Sequence, residues 1–102
     1  MNQIAIPIDK EAVAEFCKRN QIRRLALFGS VVRDDFKPDS DVDILVEFAP
    51  EARVGFFRLF DIEEEFSTLV GGRKIDTVTF RSLNHRIRDQ VLAEAQMLYD
   101  EG

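Results

Sequence analysis

The chain has 102 residues, 14 Lys+Arg against 19 Asp+Glu and a formal net charge of −5, with 45% apolar and 32% charged residues. That is enough for one globular domain spanning residues 1–102 with a single core, and it leaves no room for a separate substrate lobe. The lone Cys17 excludes a disulfide framework or a Cys-rich zinc module, the acidic balance disfavours bulk-electrostatic binding to nucleic acid, and no apolar run approaches the roughly 18 residues of a membrane span.

Asp9 can cap a first helix whose buried stripe is Ala12, Val13, Phe16 and Cys17, with Ile8 and Val13 at hydrophobic-staple spacing and Asn20 as terminator. Ile22 to Phe28 reads as a short buried strand stopped by Gly29. Ser30 to Asp34 follows as a brief helix, and Lys37-Pro38-Asp39-Ser40 is turn chemistry. From Asp41 to Phe48 the pattern alternates: Val42, Ile44, Val46 and Phe48 point one way, Asp41, Asp43, Leu45 and Glu47 the other. Pro50 ends that strand. Phe56, Leu59, Phe60, Glu63, Phe66, Leu69 and Val70 keep a helical period until Gly71-Gly72. Ile75 to Phe80 is a third strand. Ser82 can cap a last helix with the stripe Leu83, Ile87, Val91, Ala95 and Leu98. The order predicts a small α/β or α+β layer structure with no internal repeat.

The chemistry concentrates between Gly29 and Asp43. A glycine at a strand end lets the backbone turn sharply and approach a ligand closely, and Ser30 opens a segment whose free N–H groups favour phosphate. The lysine of a P-loop and the spaced glycines of a dinucleotide fold are both missing. Asp41 and Asp43, two apart on a strand, place their Cα atoms roughly 6.5 Å apart on one face. Carboxylates so spaced can converge on a metal pair about 3.5–4 Å apart, the arrangement used for nucleotidyl transfer. Two like charges so close resist ionising unless a cation neutralises them, and magnesium suits carboxylates together with phosphate oxygens. Asp76, an acid inside a later strand, completes the set as a metal ligand and as acceptor of the proton from an attacking hydroxyl.

Gly29-Ser30, ten intervening residues, Asp41-x-Asp43 and then Asp76 resemble the polymerase-beta-like nucleotidyltransferase superfamily. The size, Arg33, Ser40 before the carboxylate pair and the ending Val91 to Tyr99 look like its minimal nucleotidyltransferase (MNT) branch, over roughly Ile22 to Tyr99. The resemblance implies a mixed β-sheet flanked by helices. It also implies an antitoxin that transfers AMP from ATP, with two Mg2+ ions, onto a tyrosine of a HEPN-type toxin; the expected compartment, the cytoplasm, follows instead from the lone cysteine and the lack of an apolar span. Asp41, Asp43 and Asp76 would be the catalytic and metal-binding residues, and Gly29, Ser30 and Arg33 would bind nucleotide.

Plainer readings stand beside this one. An EF-hand starting at Asp39 fails, because Ile44 replaces the sixth-position Gly and Pro50 the twelfth-position Glu. Asp76 could instead pair with Arg73 or Lys74, and Arg33 with Asp34, Asp35 or the catalytic acids. Cys17 belongs to the core, His85 to a solvated first turn, and Glu63-Glu64-Glu65 to a solvated helix face. Phe56, Phe57, Phe60 and Phe66 suit a core or a partner interface better than base stacking. A domain this small has no lobe for an acceptor, so the acceptor should arrive on a folded protein partner docking on the Phe56–Val70 helix and the last helix. Nucleic acid is a weaker partner, left open by Arg73, Lys74, Arg81, Arg86 and Arg88. Self-association stays open. The rival functions are a non-catalytic toxin-binding antitoxin and a nucleotide-binding regulatory subunit.

Overall fold

A computed structural model describes residues 6–32, 36–37 and 39–101. Its elements are α1 (Lys10–Arg19), β1 (Ile22–Phe28), a 3-10 turn (Gly29–Val32), β2 (Val42–Phe48), α2 (Phe56–Leu69), β3 (Ile75–Thr79), a second 3-10 turn (Phe80–Ser82), α3 (His85–Glu94) and β4 (Gln96–Asp100). The strands form one mixed sheet in the order β3-β2-β1-β4. β1 runs antiparallel to β2 and β4, whereas β2 and β3 are parallel and joined through α2.

Local chemistry accounts for most boundaries. The Asp9 carboxylate accepts from Glu11 N (3.0 Å) and Ala12 N (3.2 Å), taking up two N–H groups that the first turn of α1 leaves unpaired. Lys18 and Arg19 occupy its last turn, where the helix dipole favours cations. After α2, Gly71 and Gly72 take positive φ values of 78° and 81°, a conformation that turns the chain sharply out of the helix.

Two apolar clusters cover the two faces of the sheet. Val13, Phe16 and Cys17 of α1 and Ile62 and Phe66 of α2 pack with Ile22, Leu25, Leu27, Val42, Ile44 and Val46, with the Phe16 and Phe66 rings 5.4 Å apart. On the other face Ala26, Leu45 and Leu83 pack with Phe28, Val78, Phe80, Val91 and Ala95. Cys17 lies in the first cluster, where burial pushes its thiol up to about 12.

The structure corrects the sequence expectations at several points. The last helix ends at Glu94, and Gln96–Asp100 is a fourth strand on the free edge of β1. Leu98 is buried from that strand, and Ile87 is 47% exposed. Asn84, not Ser82, caps α3 by accepting from Arg86 N at 2.9 Å; Ser82 instead closes a capping box with Thr79. Leu45 sits on the face predicted to carry polar groups and is fully buried there, so β2 is packed on both sides. Of the three consecutive glutamates only Glu64 is exposed. Glu63 accepts from Thr77 N, and Glu65 accepts from Asn20 Nδ2 (3.2 Å) and pairs with Arg19. Asn20, the one buried polar residue among those described, also accepts from Arg58, so it joins the end of α1 to α2.

Candidate active site

The alternating face of β2 divides into three parts along its length. At one end are Asp41 and Asp43, in the middle is buried Leu45, and at the far end Glu47 accepts from Arg24 Nε at 2.6 Å. That hydrogen bond holds the Glu47 carboxyl below the usual carboxylate range. Arg24 also lies over the Phe80 ring, 4.7 Å from its centroid, which closes that end with apolar and paired groups. The acids are therefore confined to the end where β1 stops and β2 and β3 begin.

Three backbone features assemble that end. Val42 N donates to Lys74 O at 2.8 Å, joining the starts of the two parallel strands. In the resulting register Asp43 lies directly beside Asp76, so their Cα atoms are one inter-strand spacing apart, about 4.8 Å. Across the other edge of β2, Asp43 pairs with Phe28, and the chain then turns at Gly29 with φ 75°. A Cβ at Gly29 would overlap Asp43 Oδ2 and stand 3.2 Å from Asp43 Cγ. Gly29 is thus required twice, for its left-handed backbone and for the space that the Asp43 carboxylate occupies.

The predicted residues map onto this frame unevenly. Asp43 lies within β2 and is half-buried; Asp41 lies one residue before the strand and is exposed. Asp76 is exposed on β3, and the two ion pairs among the described residues, Arg19–Glu65 and Arg24–Glu47, do not involve it. Ser30 is half-buried in a 3-10 turn that starts at Gly29, one residue earlier than predicted. A single turn carries little macrodipole, so any anion held there meets individual N–H groups more than a helix field. Arg33 lies outside the described residues, as do its candidate partners Asp34 and Asp35. Arg73 is placed over the Phe36 ring, 4.8 Å from its centroid.

The donor set at this end is all carboxylate oxygen, which suits a hard divalent cation, and the missing side chain at Gly29 makes space for the Asp43 carboxylate. Among the described residues no three His, Cys, Asp or Glu side chains already converge on one point. The Cα spacings leave that convergence to rotation of the Asp41 and Asp76 side chains, which like-charge repulsion opposes until a cation lies between them.

The contact between Glu63 and Thr77 is not legible in the sequence, which places Glu63 on a solvated helix face. Their hydrogen bond joins residues 14 apart on different elements, and a glutamate within a run of three carries no local signal of it.

Comparison with known proteins identifies the family. Protein adenylyltransferase MntA of Thermococcus cleftensis is 40% identical over 80 residues, covering 78% of this chain and 78% of the relative. A solved structure with the provisional name minimal nucleotidyltransferase superposes with a TM-score of 0.71 at 36% identity, over 85% of this chain and 86% of that one. A chain from the complex of the tri-AMPylated Shewanella oneidensis HEPN toxin with MNT antitoxin shares the fold, with a TM-score of 0.64 at 18% identity over 89% of this chain and 69% of that one. The model of the polymerase beta nucleotidyltransferase family matches residues 11–102, and with the turn at Gly29 packed on Asp43 beside Asp76, the chain belongs to that family.

Proposed function

We propose that this chain transfers AMP from ATP to a tyrosine hydroxyl of a HEPN-type toxin and so acts as its antitoxin. One observation carries the chemistry: the Gly29 turn is packed against the Asp43 carboxylate, and Asp43 stands in register beside Asp76. The acceptor rests on the relatives, one named a protein adenylyltransferase and one an antitoxin in complex with an AMPylated toxin.

Nucleotidyltransferases of this family generally use a divalent metal. Asp41, Asp43 and Asp76 are the residues that would hold it, as two Mg2+ ions. Magnesium, when bound, offsets the charge of these carboxylates and of the triphosphate. The remaining work belongs to the chain itself. The N–H groups of the Gly29–Val32 turn and the Ser30 hydroxyl hold the distal phosphates, and Arg33 adds a cation to them. Asp76 accepts the proton of the attacking tyrosine hydroxyl as its oxygen bonds to the α-phosphorus and pyrophosphate leaves.

A pure toxin-binding antitoxin would have no use for three acids gathered at one sheet end, which favours turnover. The test is incubation with labelled ATP, Mg2+ and the neighbouring gene product, and separately with RNA. AMP found by mass on a partner tyrosine, absent with Asp43→Asn, is the expected result. Label entering RNA alone, or a confirmed partner left unlabelled, would refute the proposal.

A further inference from the structure

We infer that Glu63 is a positioning residue for Asp76, holding the peptide that carries this acid from the outer edge of the sheet; the inference rests on the proposed role of Asp76. β3 is an edge strand with only β2 beside it. In a parallel ladder alternate residues of an edge strand turn their N–H groups away from the neighbour, and such groups need partners or water. On β3 side chains take them up: Thr77 N donates to Glu63 Oε2 at 3.0 Å and Thr79 N to Ser82 Oγ at 3.2 Å.

The Thr77 N–H belongs to the peptide unit that links Asp76 to Thr77. Glu63 therefore grips the plane that sets the direction of the Asp76 side chain, while β2 holds the same residue from the other side through the Asp43–Asp76 pairing. Glu63 has a firm base of its own, because Ile62 and Phe66 of the same helix are fully buried. At 3.0 Å this is an ordinary N–H···O hydrogen bond, whose preferred geometry fixes the direction of the peptide N–H. Losing it frees the outer edge of β3 at the one residue whose carboxylate must meet the acceptor hydroxyl. Nucleotide binding, which draws on Gly29 and Ser30 of the adjoining turn, should be spared.

Three proteins decide the matter: the parent chain, Glu63→Ala, which removes the acceptor, and Glu63→Gln, whose amide oxygen keeps it. Two measurements are made on each, amide hydrogen exchange at Thr77 followed by NMR, and AMP transfer with kcat and KM for ATP determined separately. In Glu63→Ala the Thr77 amide should exchange at least about tenfold faster while β1 amides stay protected. Its kcat should fall about tenfold with KM for ATP within about twofold. Glu63→Gln should restore both. Unchanged Thr77 protection in Glu63→Ala overturns the clamp, and lost protection with a parental kcat overturns its link to Asp76. A Glu63→Gln variant as impaired as Glu63→Ala overturns the acceptor role. A parent chain inactive on its partner counts against the proposed function instead, and the exchange data still decide the clamp.

Discussion

Adding one methyl group at Gly29 should damage the fold and the site together, by an amount the geometry sets. Alanine at φ 75° brings a Cβ into the left-handed region, at a cost of about 1–2 kcal/mol. The same Cβ would overlap Asp43 Oδ2 and stand 3.2 Å from Cγ, so the carboxylate must rotate away, at about 0.5–1.5 kcal/mol for a side chain driven off its rotamer. The strand cannot yield instead, because Val42 and Ile44 on either side of Asp43 are fully buried. Gly29→Ala should therefore lose roughly 1.5–3.5 kcal/mol, lowering Tm by on the order of 6–28 °C for a domain of this size. Transfer should fall further than stability, because the displaced group is a proposed metal ligand. The assay is a double-mutant cycle in denaturant with Asp43→Ala, whose shortened side chain removes the overlap and leaves the backbone cost. Gly29→Ala should cost at least about 0.5 kcal/mol less in the Asp43→Ala background, beyond the usual error of additivity. Equal costs in both backgrounds would refute the close approach.

Other substitutions probe separate parts of the structure. Asp76→Asn should lower kcat by orders of magnitude while ATP affinity changes little, since a proton acceptor acts in the transition state; a parallel loss of affinity would show a binding role instead. Among the described residues Thr77 Oγ1 is a buried side-chain atom without a hydrogen-bond partner, so Thr77→Val should leave stability unchanged or raise it by about 1 kcal/mol, and a clear loss on urea unfolding would reveal a partner. Glu47 has a folded pKa below its unfolded value because Arg24 donates to it, so its contribution is complete above the unfolded glutamate value, about 4.3, and is lost as pH falls through the lower folded one. Burial pushes Glu65 up, but hydrogen bonds from Arg19 and Asn20 and the Arg19 and Arg58 charges leave it lowered, so it behaves alike. Glu47→Gln should thus be less stable than the parent by under about 1 kcal/mol at pH 7, and the gap should close below pH 4; a constant gap across that range would exclude the linkage.

Local and periodic signals reached far into this protein. The Asp9 cap and the Gly71-Gly72 stop each depend on residues within one turn and stand in the structure, and the alternation along β2 stands except at Leu45, buried on the face expected to be polar. The spacing from Gly29 to Asp41 and Asp43 marked the candidate site, because strand geometry alone puts alternate residues on one face. The fourth strand needed the whole fold. Leu98 follows Val91 by seven residues, a spacing that suits a helix, yet Ala95 turns extended at ψ 143° and the segment pairs with the open edge of β1, Leu25 opposite Tyr99. A free row of sheet hydrogen bonds outweighs a weak helical preference. The neighbours of Asp43 were likewise decided at a distance: Asp76 reaches it through a parallel pairing that spans α2, and Glu63 reaches Thr77 from that helix. Sequence patterns record which residues share a face of one element, whereas the joining of separate elements follows from burying the faces of one sheet under three helices, a property of the assembled chain.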